Sequence, residues 1–269
     1  MRDFDCLDPG LANRVRRALC GAGAATAGLS LAGCGSRPRA PAPPRATQVP
    51  LFSSSPANGD LPQGWRPFVL RRDRGTTRYR TIESEGRTVL SARAESTSTA
   101  VQCEVDIDLT ETPWLQWQWR VDALVPGARV DDEARDDSPA RLVLAFRAAP
   151  QRLTLGDLMF FEQIELFTGQ RLPNTSLLYV WDPELPVGTV ARYARTGRIR
   201  YFVVESGTSR LGQWVSYRRN VIADFKAAFG EVPGPITSVG VLTDSDDMRS
   251  TAEALYGDIS FQPAPQAAQ

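Results

Sequence analysis

The chain has 269 residues, 42% of them hydrophobic, with 31 Lys and Arg matched by 31 Asp and Glu and no histidine. That balance leaves no basic field for a phosphate backbone, which excludes nucleic acid as a partner. The missing imidazole excludes Ser-His-Asp and Cys-His mechanisms and zinc sites built on histidine.

In chain order, the first informative stretch is "RVRRALCGAGAATAGLSLAGC", residues 14–34. Arg14, Arg16 and Arg17 precede about sixteen small and apolar residues, the layout of a secretory signal over residues 1–33. The run is too short and too rich in Ala and Gly to stay as a spanning helix, which needs roughly 20 strongly apolar residues. Asp3, Asp5 and Asp8 are foreign to a signal n-region, so the start of the working signal is expected downstream, near Val15. The "VRRALC" run lacks the flanking residues of a twin-arginine signal, and general export is expected. Leu31-Ala32-Gly33-Cys34 resembles the lipobox of bacterial lipoproteins, whose cysteine becomes the lipidated first residue. Gly35 stands where an inner-membrane retention aspartate would. The expectation is an exported protein anchored to the membrane through lipid on Cys34, at the outer membrane and facing the periplasm.

Cys6 and Cys20 leave with such a signal, so Cys103 is the lone thiol of the folded part and is expected to pack as a small hydrophobe. Residues 34–60 are rich in Pro and Ser and read as an extended tether. Residues 61–262 show no similar break and read as a single domain, followed by a disordered tail over 263–269.

Period-2 runs predict strands near 65–72, 77–83, 87–94, 101–109, 114–122, 141–148, 177–182, 199–205, 213–218, 236–243 and 254–262. Two helices interrupt them. In the first, Thr154 is the N-cap, Leu158, Phe161, Ile164 and Phe167 form an apolar stripe, and Gly169 is the stop. In the second, Asn220 caps, Ile222, Phe225 and Phe229 share a side, and Gly230 ends it. Many short strands with few helices predict a mainly β fold, an antiparallel β-sandwich of jelly-roll type with two short helical insertions.

Alternation on the strand at 114–122 separates two faces. Leu115, Trp117, Trp119 and Val121 form an apolar row expected in the core. Trp114, Gln116, Gln118, Arg120 and Asp122 form a polar row. Gln and Arg side chains on such a row either line a ligand groove or make a solvated sheet face. Trp114 alone is left as a sugar-stacking platform.

Carboxylates remain for chemistry. "DDEARDD", residues 131–137, and "TDSDD", residues 243–247, bring Asp136, Asp137, Asp244, Asp246 and Asp247 as candidates for an acidic or metal site. Calcium through oxygen ligands is the one cofactor this pattern admits, and a paired acid and base is the alternative chemistry. The second cluster departs from an EF-hand at Met248, Arg249 and Leu255, and solvated acidic turns account for both clusters without a metal. Arg135 and Arg141 are placed to neutralise part of the first, and Arg141 joins the polar row among the candidate ligand-binding residues.

The runs "WQWRV", "DDSPARLVLAF", "LLYVWD", "GQWVSYRRNVIADFKAAFGE", "ITSVGVLTDSDD" and "ALYGDISF" resemble, in this order, a bacterial domain-of-unknown-function family, the 3047 family. The resemblance implies an exported single-domain protein similar to galactose-binding-like jelly rolls, and it implies no activity. By matching motif it singles out Asp136, Asp137, Arg141, Trp181, Asp224, Asp244 and Asp246.

Three functions follow. The favoured one is a non-catalytic, lipid-anchored envelope protein that binds glycan or another envelope component on a sandwich face. The others are a carboxylate-dependent polysaccharide hydrolase or lyase, and a scaffold for another envelope protein.

Overall fold

The computed structural model describes residues 46–69, 73–147 and 153–265. The expected signal, Cys34 and the first part of the tether lie outside the described residues. Among the described residues no helix is long and apolar enough to cross a membrane.

Among the described residues, thirteen strands and two helices are present, and the strands build two sheets packed face to face. The first sheet has seven strands, in the order β1 (Trp65–Val69), β4 (Ser98–Ile107), β11 (Ile236–Asp244), β6 (Ser138–Phe146), β7 (Ser176–Asp182), β9 (Ile199–Ser206) and β8 (Val190–Arg192). The second runs β10 (Trp214–Asn220), β5 (Trp114–Val121), β12 (Thr251–Tyr256), β3 (Arg87–Glu95) and β2 (Arg78–Ser84), with β13 (Ser260–Gln262) also paired to β5. All pairings of named strands are antiparallel except β7 with β9. The fold is the antiparallel β-sandwich that the alternating pattern predicts.

The two inner faces meet in one core. Leu115, Trp117, Trp119 and Val121 of β5 are all buried there, while Trp114, Gln116, Gln118 and Arg120 on its other side are half-buried. Trp117 stacks on Tyr179 of the opposite sheet with ring centroids 5.0 Å apart, and on Tyr217 of β10 at 4.8 Å. Such offset ring pairs stabilise beyond the area they bury. Cys103 is buried in the same core, and burial pushes its thiol up to about 12, which fits its reading as an inert small hydrophobe.

The structure differs from the expected elements in three places. Within the stretch expected as tether, Val49 and Phe52 are buried in the core and Ala46 bridges to Val105. Two apolar anchors in a Pro- and Ser-rich stretch suffice to fix it. The strand expected over 254–262 is two strands, broken at Gly257-Asp258-Ile259. Gly257 lies so close to Gln118 that an added Cβ would sit 2.4 Å from its Cγ. β8 is a three-residue edge strand too short for the periodicity to reveal.

The helices are α1 (Leu155–Thr168) and α2 (Val221–Phe229). Thr154 and Asp157 form a reciprocal capping box at the start of α1, and Gly169 and Gly230 end the helices in the left-handed region at φ of 67° and 69°. Helix α2 buries Phe225, with Ile222 and Phe229 packed partly against the core as expected. On α1 the predicted stripe fails: Phe161 is buried, but Leu158 is exposed and Phe167 is 72% exposed. Residues spaced strictly by three drift about 60° round the helix at each step, so four of them cannot share one face.

Candidate functional site

The central strands β6 and β7 are buried almost throughout, which requires cover on the outer face of the seven-stranded sheet. Part of that face is covered by side chains from β9 and the 193–196 turn, with α1 alongside. Between them runs a groove of about 680 Å³. A second hollow of about 570 Å³ continues along the same face and shares Phe68, Gln102, Leu172, Pro173 and Ser238 with the first.

Arg141 projects from β6 to the floor of this groove. Its side chain is 2% exposed, with Nη1 3.1 Å from Asp136 Oδ1 and Nε 3.2 Å from Asp244 Oδ1. Nη2 also donates to the Asp136 carbonyl at 2.6 Å. The guanidinium lies 5.2 Å from the ring of Tyr201, whose hydroxyl donates to Asp136 Oδ2. Ser138 N–H donates to Asp244 Oδ1 at 2.9 Å, so the β11 carboxylate is tied to β6 twice.

Burial sets the electrostatics. It pushes Asp136 up to about 6 against the opposing pull of Arg141 and the Tyr201 hydroxyl. It pushes Asp244 well above the usual carboxylate range, again against Arg141. For Arg141 burial opposes the charge, but Asp244 and Asp136 outweigh it and the guanidinium stays charged. Tyr193, Tyr201 and Phe160 supply ring surface to the same groove, and Glu133, Arg195, Asp246 and Asp247 its polar rim.

The sequence candidates therefore divide. Asp136, Asp244 and Arg141, from separate segments, meet at the groove floor as one ion-paired triad, with Asp246 and Asp247 at its edge. Asp137, Asp246 and Asp247 bring ligand oxygens within 4.8 Å of one another, the kind of oxygen set a Ca²⁺ takes. Asp137, however, already accepts from Asp247 N–H at 3.3 Å and Met248 N–H at 2.7 Å, which is the work of a turn cap. Asp131 and Asp132 form ion pairs with Arg129 and Arg135 on the surface.

Trp114, Gln116, Gln118 and Arg120 lie on the outer face of the other sheet, away from the groove. Arg218 covers the Trp114 ring at 4.6 Å, Gln118 packs beneath Gly257, and Arg120 forms an ion pair with Asp122 at 2.8 Å. They do not join Arg141 in one site.

Residues 63–260, which carry most of both sheets and the groove, match the model of a family described as protein of unknown function, DUF3047. The chain belongs to the DUF3047 family. Comparison of this DUF3047 chain with curated proteins gives no match. Among solved structures it is similar to the glycoside hydrolase domain of Endo-D from Streptococcus pneumoniae R6, at 9% identity and a TM-score of 0.34, covering 76% of this chain. The chain spans only 22% of that structure's length. It is also similar to the carbohydrate-binding module TmCBM61 in complex with β-1,4-galactotriose, at 9% identity and a TM-score of 0.35, covering 80% of this chain and 94% of that one. Neither likeness speaks to a ligand of this DUF3047 chain.

Two of the motif positions are structural. Trp181 is fully buried with its indole N–H on the Gly207 carbonyl at 2.9 Å. Asp224 accepts from Tyr179 Oη at 2.8 Å and from both Arg219 Nε and Nη2, tying α2 to the sandwich. Sequence reading missed Tyr193, Tyr201 and Arg195. A signal for Tyr201 was present: Ile199, Tyr201 and Val203 alternate as an apolar row on one face of β9.

Proposed function

We propose that this DUF3047 protein is a lipid-anchored envelope protein whose sandwich binds a glycan in the groove over β6, β9 and β11. The observation that carries the reading is the buried Arg141 between Asp136 and Asp244 on a floor walled by Tyr193, Tyr201 and Phe160. A sugar ring offers hydroxyls that pair with fixed charged groups and a C–H face that packs on aromatic rings, and the groove supplies both. Anchoring is supported by the small-small-Cys ending of the apolar run at Cys34.

The test is a thermal-shift and titration screen of the full chain against cell-envelope glycans. A ligand at a hundred times its dissociation constant adds about 2.7 kcal/mol to the native state. Tyr193→Ala and Arg195→Ala, at the groove rim, are expected to remove the shift, while Gln118→Ala and Arg120→Ala keep it. Failure of every glycan to shift the wild type would favour the protein-scaffold function. EDTA is expected to leave the melting temperature unchanged. Cys34→Ala is expected to move the protein from the membrane to the soluble fraction, and unchanged partition would refute the anchor.

One observation supports a second reading. A carboxyl held at about 6 in a groove, as Asp136 is, suits a general acid for polysaccharide cleavage. Release of reducing ends from a bound glycan, lost in Asp136→Asn with binding intact, would establish it.

A further inference from the structure

On the opposite side of the seven-stranded sheet from the groove, the edge formed by β8 and β9 carries three arginines. Arg192 of β8 and Arg200 of β9 are direct register partners. Like charges facing each other across an antiparallel pair are destabilising unless something neutralises them. Arg198 stands two residues before Arg200, with Nη1 3.0 Å from Glu231 and Nε and Nη2 on Thr175 Oγ1, so the nearby carboxylate is engaged. Among the described residues, Arg192 and Arg200 have no hydrogen-bonded or ion-paired partner, and the buried Nε of Arg200 is unsatisfied.

Arg198 and Arg200 are nonetheless held in place. The guanidinium groups of Arg198 and Arg200 lie 5.4 and 5.8 Å from the ring of Phe229 at the end of α2. The Arg192 guanidinium lies beside Gly197, and Arg192 is exposed at the sheet edge. Partial burial, then Arg192 and Arg198, pull the Arg200 guanidinium below its ordinary value. The charge is thus poorly compensated in the protein alone, and an anion would restore it.

We propose that Arg192 and Arg200 form an oxyanion-binding site for a phosphomonoester group, with Arg198 adding to the field and Phe229 as the platform. Charge matching selects the class: a phosphomonoester near neutral pH carries about −1.5 to −2, enough for two guanidinium groups, whereas a carboxylate neutralises one. The group is carried either by a lipid headgroup or by a soluble phosphorylated molecule. The site is separate from the glycan groove and stands or falls without it.

The experiment titrates inorganic phosphate into the full chain bearing Cys34→Ala, so that no lipid of its own intervenes, with acetate at matched ionic strength as the monoanion control. Phosphate is expected to raise the melting temperature and acetate to leave it unmoved. Arg192→Gln and Arg200→Gln are each expected to weaken phosphate binding by about tenfold or more, the loss of a charge-assisted hydrogen bond. Arg200→Gln is also expected to raise the melting temperature in phosphate-free buffer, because it relieves the like-charge pair. A purely structural arginine would do the reverse. Co-sedimentation with phosphatidylcholine vesicles containing phosphatidic acid, against phosphatidylcholine alone, separates the sources: capture identifies the headgroup, and a phosphate shift without capture the soluble ligand. A phosphate effect no larger than that of acetate, or a lowered melting temperature for Arg200→Gln without phosphate, would overturn the proposal.

Discussion

Arg141 Nε lies 3.2 Å from Asp244 Oδ1, with the two side chains 2% and 6% exposed. A pair this dry joins β6 to β11 at the groove floor, and Asp136 closes it from the preceding loop. Replacing the arginine strands two buried carboxyls. Arg141→Leu is expected to cost about 3–5 kcal/mol, the penalty for removing one partner of a buried ion pair. Adding Asp244→Asn to that variant should recover part of the loss, because a neutral amide needs no counter-ion. A urea-unfolding double-mutant cycle measures it, and strict additivity of the two changes would show that the charges are not coupled.

The raised carboxyls make stability fall with rising pH in a defined window. Asp136 has a folded value of about 6 against an ordinary 3.8. A raised folded value means stability present below the unfolded value and lost as pH rises through about 6. Asp137 and Asp244 shift in the same direction, chiefly through burial. Carboxyls held low, such as Asp108 and Asp132 through backbone N–H donors, act at more acidic pH and with the opposite sign. Unfolding free energy is therefore expected to drop by on the order of 1–2 kcal/mol from about pH 5 to 7. Asp136→Asn should flatten the slope, and a level wild-type profile would mean that the groove carboxyls ionise normally.

Most of the sandwich was legible because strand alternation is local: the β5 row from Leu115 to Val121 needed only neighbouring residues. Helix caps at Thr154 and Asn220 were legible for the same reason. Convergence of Asp136, Arg141 and Asp244 was not, since it depends on β6 and β11 lying side by side although about a hundred residues separate them. The polar row on β5 was read correctly as a face, but alternation carries no information on which sheet holds a groove. The approach of Tyr193 to the outer face beside Tyr201 likewise depends on the turn between β8 and β9, which no period reports.

Helix α1 tests the difference between spacing and facing. Leu158 and Phe161 belong to one spacing pattern, yet only Phe161 is buried. Phe161→Ala is expected to cost about 3–5 kcal/mol, and Leu158→Ala and Leu166→Ala no more than about 0.5 kcal/mol. Chemical denaturation of the three variants reads this directly. Comparable losses at Leu158 and Phe161 would restore the stripe as the core-facing side.

The three tryptophans of β5 give the sharpest test of which face is core. Trp119 is fully buried, its ring edge-on to Trp117 at 5.6 Å and to Tyr217 at 5.3 Å, and its indole N–H reaches Tyr217 Oη at 3.3 Å. Trp117 is clamped between Tyr179 and Tyr217. Deleting either ring leaves a cavity that the opposing sheets cannot collapse into, so Trp117→Ala and Trp119→Ala should each lower stability by roughly 3–5 kcal/mol. Because Trp117 and Trp119 share Tyr217, the double variant should cost less than the sum of the two. Trp114 is half-buried beneath Arg218 on the outer face, where its loss removes a cation–π contact of about 0.5–1 kcal/mol and part of one ring's burial. Trp114→Ala is therefore expected to cost distinctly less than either neighbour, and it should leave glycan binding in the opposite sheet's groove unchanged. Equal losses at all three positions in urea unfolding would mean that the faces of β5 are wrongly assigned.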